Sequence, residues 1–195
     1  MAQPVLFFAL AGGDWSGAER LRDMRAQTHE YRLDFWRPSL SRPFPPGRRD
    51  PRILSYSFMH SAGLFETLSY SMVQLSAPDG SIAHSSLVMP RFARFPFMGL
   101  DDLQIGATET SPAHRGRGLA VRAIDETIAT LGHSGRTFWY LTEDANTASI
   151  AVIRKAGFSL VGRGTKVPRF GLTPLGYYAI TELSQLFDRG KDDIR

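Results

Sequence analysis

The sequence predicts an α/β (α+β) domain built on one mixed sheet. Its 195 residues fit a single globular domain, and a hydrophobic content of 43% is enough to form a core. Strand-like segments and a hairpin fill the first half, whereas the second half alternates strand, helix, strand, helix, strand. We expect this domain to cover residues 1–187, followed by a charged tail over residues 188–195.

The first two elements are a strand and a helix. The apolar run over residues 5–10 predicts the strand. Asp14 or Ser16 is placed to cap the helix that follows, with Leu21 and Met24 on its inward face.

An arginine- and proline-rich loop is expected over residues 37–52, after an extended or irregular segment over residues 31–36. The loop carries five arginines against one aspartate, a surplus equal to the net charge of +4 of the whole chain. Its five prolines fix φ and remove backbone donors, which argues against helix and central strand. Because arginine binds phosphate and carboxylate in a bidentate manner, the surplus favours an anionic ligand. The alternatives are arginine codon usage in a GC-rich genome and a merely solubilising loop.

Strand-like patterns continue downstream of the loop. Residues 53–58 and 66–75 predict strands, and the turn residues Pro78-Asp79-Gly80 predict a hairpin whose second strand covers residues 82–89. A further strand is expected over residues 102–110.

The second half gives the clearest helices. Val121, Ile124, Ile128 and Leu131 recur at steps of three or four residues and predict the apolar face of a helix that begins near Gly116. The remaining elements are an aromatic strand, a helix and two strands, over residues 137–141, 146–156, 158–161 and 177–183.

The start of the first of these helices carries the strongest chemical signal. It reads Arg115-Gly116-Arg117-Gly118-Leu119-Ala120, where the glycines allow close backbone approach and the first-turn N–H groups have no partner within the helix. The two arginines add positive charge, so the segment predicts a phosphate cradle. Tight packing of helix on strand is the alternative, and neither the Walker pattern nor Gly-x-Gly-x-x-Gly is present.

This segment and a second one resemble the GNAT (Gcn5-related N-acetyltransferase) superfamily. Arg115, Gly118 and Ala120 match its Arg/Gln-x-x-Gly-x-Gly/Ala signature, and Thr110-Ser111-Pro112 stands where the family usually has Val-x-Pro. The family's Asn-x-x-Ala/Ser-x-x-Leu-Tyr-x-Lys-x-Gly-Phe segment is matched by Asn146, Ser149, Val152, Ile153, Lys155, Gly157 and Phe158. The resemblance implies a mostly antiparallel sheet flanked by helices, with splayed central strands.

The resemblance also implies an acyl-CoA-dependent N-acyltransferase, with acetyl-CoA as donor and no metal. Main-chain groups near Thr108 and Thr110 would pair with the pantetheine arm. The pyrophosphate would be held by the amides of Arg115, Gly116, Arg117, Gly118, Leu119 and Ala120. Asn146 would hydrogen-bond near the reactive end of the donor, or only cap its helix. Lys155 would approach the phosphates, or stay solvated.

The catalytic groups depart from the family pattern. The tyrosine that often serves as the acid falls on Ile153, and a carboxylate position often used as the base falls on Gly106. An amine with a pKa of about 10.4 must lose a proton before it attacks, so we take Glu109 as the base and Glu143 as the reserve. Surface ion pairing is the alternative role of both carboxylates. Three tyrosines are left as replacements for the acid, with core packing as their alternative role: Tyr140, Tyr177 and Tyr178.

The acceptor site of this fold lies between the N-terminal helix region, the hairpin and the final strands. The loop over residues 37–52 and the phenylalanines of residues 92–97 are placed to cover it. Trp36 and the arginines after it favour a small phosphorylated or nucleotide-linked amine, such as a nucleotide amino sugar. Acetylation of protein or peptide amines is the second hypothesis, and a CoA sensor without catalysis is the third.

Composition argues against several other classes. The chain has no cysteine, and its five histidines form no HExxH-like pattern, so neither a disulfide nor a metal site is expected. No run approaches the roughly 20 apolar residues of a membrane helix, and we expect a cytoplasmic protein without membrane contact. Acidic residues interrupt the positive charge at Asp101, Asp102, Asp125 and Glu126, so nucleic acid is not an expected partner. The oligomeric state is left open, with a homodimer as one option.

Overall fold

The computed structural model of the chain describes residues 4–39 and 41–184. Within these residues the strands are β1 (Val5–Ala11), β2 (Arg32–Trp36), β3 (Ser71–Ser76), β4 (Ile82–Pro90), β5 (Leu103–Thr110), β6 (Thr137–Glu143), β7 (Ser159–Arg169) and β8 (Leu172–Leu183). The α-helices are α1 (Ala18–Gln27), α2 (Pro51–Ser61), α3 (Leu119–Leu131) and α4 (Thr147–Lys155). The predicted charged tail over residues 188–195 lies outside the described part. None of the described helices is long and apolar enough to cross a membrane.

The described strands form one mixed sheet in the order β2-β3-β4-β5-β6-β1-β7-β8. Every neighbouring pair is antiparallel except β5 and β6, which run parallel. The predicted mixed, mostly antiparallel sheet is therefore confirmed. The first strand of the chain does not lie at an edge of the sheet: β1 is inserted between β6 and β7, with Phe7 opposite Leu141 on one side and Gly162 on the other.

The two parallel strands separate after a short paired segment. Their ladder begins at Leu103 and Phe138 and ends at Ile105 and Tyr140. Directly beyond, Ala107 has a φ of 47°, and the register between β4 and β5 shifts, as it does in a β-bulge. The bulge bends β5 away from β6, which confirms the expected splay of the central strands.

Both faces of the sheet are covered. The core on one face includes the apolar side of α3, where Ile124 and Ile128 are buried as predicted. The core on the other face is rich in aromatic residues and includes Ile53 of α2. Alternation along β6 sends Tyr140 to the α3 side and Leu141 to the α2 side, so neighbouring residues of one strand serve different faces.

Helix α1 is fixed to α3 by buried carboxylates. Asp125 is fully buried and accepts hydrogen bonds from Arg20 at 2.7 Å and from the Trp15 indole at 3.0 Å. Glu126 pairs with Arg25 at 2.6 Å. These contacts place the N-terminal helix beside the beginning of α3, which is where the glycine-containing segment lies.

One predicted element and several predicted boundaries are wrong, among them the following. Residues 53–58 are helical, not a strand: Pro51 occupies the first turn, and Asp50 caps the helix by accepting from the Arg52 N–H at 2.9 Å. The loop predicted over residues 37–52 therefore ends at Asp50. The strand predicted over residues 66–75 begins only at Ser71.

The structure also decides the N-cap of α1 and the conformation of residues 31–36. Neither Asp14 nor Ser16 caps α1, because Gly17 occupies the N-cap position without a side-chain bond. The segment over residues 31–36, expected to be extended or irregular, contains strand β2.

Candidate active site at the splayed strands

A cleft of about 650 Å³ opens where β5 and β6 separate, bounded by the first turns of α3 and by α4. Most of the site residues predicted from the sequence line it together: Thr108, Glu109, Thr110, Arg115, Gly116, Gly118, Leu119, Ala120, Asn146 and Lys155. The prediction had not included several other lining residues, among them His114, Val121, Ala148 and Ser149. Segments far apart in sequence thus meet in one groove.

The glycines form the floor of the expected phosphate cradle. Gly116 and Gly118 both have a φ of 76°, a left-handed conformation that L side chains rarely adopt. Gly118 is the N-cap of α3 and has no side chain that could accept from the first turn. The first-turn N–H groups of the helix therefore stay available to a ligand. A Cβ on Gly116 would meet nothing within 4 Å and would stand in open space. This backbone shape and the helix dipole fit an anion such as a pyrophosphate.

The positive side chains around the cradle have different positions. Arg115 lines the cleft and donates from Nε to the Thr110 carbonyl at 3.2 Å. Lys155 also lines it, from the last turn of α4. The Arg117 side chain instead lies in a groove beside α1, where it pairs with Glu30 at 3.3 Å. A role in the cradle for Arg117 therefore stays a prediction for its backbone N–H.

Asn146 has the structural role that was its alternative. Its Oδ1 accepts from the Ser149 N–H at 3.0 Å and caps α4. The residue also lines the cleft that a donor would occupy. Contact with the donor stays a prediction.

Tyr140 is the tyrosine that belongs to this cleft. It stands at the last paired position of β6, lines the cleft and is nearly fully buried. Burial raises the pKa of its hydroxyl, while hydrogen bonds with the side chains of Thr108 and Ser149 act in the opposite direction. Tyr140 is therefore a protonated, hydrogen-bonded phenol in the wall of the cleft at neutral pH.

A second pocket of about 310 Å³ lies on the other face of the sheet. Gly106 and Ala107 of the bulge line it, whereas the next residue, Thr108, lines the cleft. The two cavities therefore approach each other at the bulge. The loop before α2, which was expected to cover an acceptor site, and helix α2 itself supply the outer wall. The contribution of α2 was missed because residues 53–58 were predicted as a strand. The other lining residues are Arg48, Asp50, Arg52, Ile53, Tyr56, Leu87, Met89, Arg94, Phe95, Gln104, Leu141 and Tyr178.

The second pocket has an arginine-rich wall. Asp50 is held by Arg52 in an ion pair of 2.8 Å, and this hydrogen bond lowers the pKa of the carboxyl. Arg48 donates to Ser85 at 2.8 Å, and Arg94 donates to the Tyr56 hydroxyl at 3.1 Å. Three guanidinium groups against one carboxylate make this pocket attractive to an anionic group.

The predicted bases lie apart from this second pocket. Glu109 lines the cleft, but its side chain is 68% exposed and lies 3.4 Å from Arg48. Glu143 is exposed at the end of β6. Tyr178 lines the second pocket, and burial raises its pKa. Tyr177 lies under Arg169, whose guanidinium is 5.8 Å from the ring centroid. The catalytic roles of these residues stay predictions.

The two departures from the family pattern have visible consequences. Ile153 is fully buried and packs into the core on the α3 side. At Gly106, a Cβ would stand only 2.4 Å from Nε2 of Gln104, so the Gln104 amide fills the space that a side chain would need. A carboxylate at position 106 would displace it.

Comparison with known proteins agrees with this geometry. The model of the family described as FR47-like protein matches residues 97–166. The sequence matches no curated protein. Among solved structures, the GCN5-related glucosamine N-acetyltransferase region of a fungal multi-domain GH3 β-N-acetylglucosaminidase has a TM-score of 0.52 at 13% identity, over 80% of this chain and 20% of that one.

Two further structures come from bacteria. A protein of the GNAT family from Novosphingobium aromaticivorans has a TM-score of 0.47 at 18% identity, over 84% of this chain and 62% of that one. A GCN5-related N-acetyltransferase from Sphaerobacter thermophilus has a TM-score of 0.43 at 16% identity, over 83% of this chain and 50% of that one. This chain spans less than two thirds of each of the three matched structures. The fungal region shares the fold of this chain, and the family match covers the segment in which the sequence resembles the GNAT superfamily.

Proposed function

We propose that the chain transfers an acyl group, most readily acetyl, from acyl-CoA to a primary amine of a small anionic molecule. One observation carries the proposal: a cleft suited to the donor and a separate arginine-lined pocket approach each other at the bulge of β5. Two substrates held on opposite faces of a sheet and meeting at one point favour direct transfer, because positioning alone supplies much of the rate.

The proposed binding of the acyl donor rests on the glycine segment at the start of α3 and on the separation of β5 from β6. Acyl-CoA, when bound, supplies the acyl group as a thioester. The first-turn N–H groups of α3 and the left-handed backbone at Gly116 and Gly118 would hold its pyrophosphate. Main-chain groups near Thr108 lie where β5 has left β6 and would pair with an extended arm. The Thr110 carbonyl would do so in place of its present bond from Arg115 Nε.

The acceptor side rests on the charge of the second pocket. Arg48, Arg52 and Arg94 would attract a phosphate or carboxylate of the acceptor, and Asp50 would attract its ammonium. A volume of about 310 Å³ suits the amine-bearing part of a small molecule, with a nucleotide extending outward along the loop. Phosphorylated or nucleotide-linked amino sugars combine these features.

Proton transfer uses groups on both sides of the bulge. We assign Glu109 as the acceptor of the amine proton through solvent, because Glu109 lines the cleft two residues after Ala107. Asp50 lies in the acceptor pocket, but its lowered pKa makes it the weaker base. Tyr140 holds a proton at its hydroxyl in the cleft wall and is the donor for the departing sulfur.

Donor binding is tested by calorimetry with acetyl-CoA on two glycine variants. Gly116→Ala and Gly80→Ala place the same methyl group at similar φ values, 76° and 83°, and neither new Cβ meets an atom within 4 Å. We expect both to cost similar stability, while only Gly116→Ala weakens acetyl-CoA binding, because only Gly116 lines the cleft. Absence of acetyl-CoA binding by the unaltered protein would refute the proposed function.

Acceptor choice is tested by thiol release with matched amines. The panel pairs each phosphorylated or nucleotide-linked amino sugar with its neutral analogue and includes lysine and N-terminal peptides. We expect the anionic amines to react faster, and Arg48→Gln to remove that advantage while leaving acetyl-CoA affinity unchanged. Preference for peptide amines would overturn the small-molecule assignment, and tight donor binding without any turnover would favour a CoA sensor.

A further inference from the structure

A third pocket of about 280 Å³ lies beside the loop that precedes α2. The polar side chains that line it are Arg48, Gln74, Ser85, Glu109 and Ser111. Arg48 also lines the second pocket, and Glu109 also lines the cleft. The third pocket therefore shares one residue with each of the two cavities of the proposed function, although it has no role in that function.

Three of these side chains form a polar row across neighbouring strands. Gln74 of β3 is opposite Ser85 of β4, and Ser85 is opposite Glu109 of β5. Residues that are directly opposite share one face of a sheet. The next row on this face contains Met72 and Leu87, which belong to the aromatic-rich core. The polar row therefore interrupts a face that is otherwise apolar in its central strands.

The neighbours of Ser85 in sequence lie on the opposite face and bond to other side chains there. His84 is 1% exposed, its Nδ1 is 2.7 Å from the hydroxyl of Thr110, and its Nε2 is 2.9 Å from the hydroxyl of Ser86. Alternation along β4 keeps this group apart from the third pocket. The polar row is thus a separate feature with its own partners.

The buried members of the row keep hydrogen-bonding capacity for a ligand. Gln74 is 1% exposed and Ser85 is 4% exposed. Among the residues that the structure describes, the Gln74 amide donates to the Pro46 carbonyl at 3.2 Å, which uses one of its two hydrogens. Ser85 accepts from Arg48 at 2.8 Å and keeps its own hydroxyl hydrogen to donate. Neutral groups that both donate and accept suit the hydroxyl groups of a sugar or another polyol.

Arg48 is the side chain that the second and third pockets share. Its guanidinium donates to Ser85 and lies 3.4 Å from the Glu109 carboxylate. A phosphate bound to this guanidinium would have a cavity on either side. A terminal phosphate has a substituent for one of these cavities, whereas a phosphodiester or a pyrophosphate has one for each.

We propose that the third pocket is a subsite for a hydroxyl-bearing group that is joined to the acceptor amine through phosphate. The acceptor then spans Arg48, with its amine-bearing part in the second pocket and its hydroxyl groups in the third. This inference rests on the proposed function, and it narrows the acceptor to amines whose phosphate is bridged. In a nucleotide-linked amino sugar, the ribose is the hydroxyl-bearing group.

Thiol release with three acceptors that carry the same amine tests the subsite. They are glucosaminyl phosphate, its methyl diester and its glyceryl diester. We expect the glyceryl diester to have a kcat/KM about tenfold above that of the methyl diester, mainly through KM, because two neutral hydrogen bonds supply about this factor. Equal values for the two diesters, or a higher value for the terminal phosphate, would overturn the inference. The preference for anionic amines, and with it the proposed function, would then still stand.

Variants that alter the third pocket without touching the second locate the effect. Ser111→Ala removes a hydroxyl, and Ile82→Phe fills the pocket from the start of β4. We expect Ser111→Ala to raise the KM of the glyceryl diester about threefold and Ile82→Phe to raise it to that of the methyl diester, whose own KM stays unchanged. Ser61→Ala is the matched control, because Ser61 lines none of the three cavities and donates to the Ser57 carbonyl at 3.0 Å. Equal slowing of both diesters would show a general structural effect and would overturn the inference.

A binding measurement separates the subsite from catalysis. We would titrate both diesters by calorimetry into the full-length protein, alone and with CoA, where no acyl group is transferred. The glyceryl diester should bind about tenfold more tightly, and Ile82→Phe should remove this difference without changing the affinity for CoA. Equal affinities, or binding of neither diester, would overturn the inference. Absence of acetyl-CoA binding would instead refute the proposed function, and the two failures are therefore distinguishable.

Discussion

Replacing His84 by glutamine should make the protein less sensitive to mild acid. The His84 pKa is about 4 in the folded chain against an ordinary value of 6.5, so the unfolded chain binds more protons between these values. A depressed pKa of this kind contributes stability that is complete above about pH 6.5 and is lost as the pH falls toward 4. The two pKa values imply a loss of about 2 kcal/mol at about pH 5 and about 3 kcal/mol at about pH 4.

The assay is urea unfolding of the unaltered protein and of His84→Gln across this pH range. Carboxylates and the other histidines contribute equally to both proteins, so the difference between the two curves isolates His84. Glutamine can accept from Thr110 and donate to Ser86, which preserves the hydrogen bonds of His84. If the difference in unfolding free energy between the two proteins changes by less than about 0.5 kcal/mol over this pH range, a neutral, desolvated His84 is refuted.

Three further predictions concern the supports of the site. Asp125→Asn should destabilise the fold by about 2 kcal/mol in urea unfolding, because it removes the buried charge that holds Arg20; an unchanged midpoint would contradict this. Asn146→Ala should cost about 1 kcal/mol through the lost cap, and Asn146→Asp should restore that stability; equal losses in both would disprove the cap. Glu109→Gln should lower kcat on the order of 100-fold if Glu109 is the base, whereas loss of an exposed ion pair alone would leave kcat unchanged.

The cleft could be predicted because most of its residues lie in two short segments, 108–120 and 146–155. Glycine is required at positions 116 and 118 for a local reason, because Gly116 and Gly118 both have a φ of 76°. The apolar stripe on α3 fixes which way that helix faces, and Asn146 caps the next helix within the same turn. Short sequence motifs determine local geometry of this kind, so they were enough to predict the residues of the cleft.

The second pocket could be predicted only in part, from the loop over residues 37–52 and from residues 92–97, because tertiary contacts decide the rest of it. Residues 53–58 contain apolar and aromatic residues typical of a strand, yet Pro51 and the Asp50 cap start a helix there. The position of β1 between β6 and β7 likewise depends on pairing with residues more than a hundred positions away. The register that places Ser86 beside Thr108 includes a bulge, which no pattern in the sequence indicates.

The arginine surplus also has a different meaning once each side chain is placed. Arg20 holds a buried carboxylate, and Arg122, 6% exposed, donates to the Thr28 carbonyl at 2.6 Å. Arg136 joins the end of α3 to Asp101 at 2.6 Å. These guanidiniums already have protein partners, so net charge is a poor count of anion sites. In the proposed function the arginines that bear on the acceptor are those that line the second pocket, and Arg48 is the most informative because it stands between that pocket and Glu109. An anionic acceptor that binds Arg48 would compete with Glu109 for it and release that carboxylate to take a proton, which couples acceptor recognition to the base.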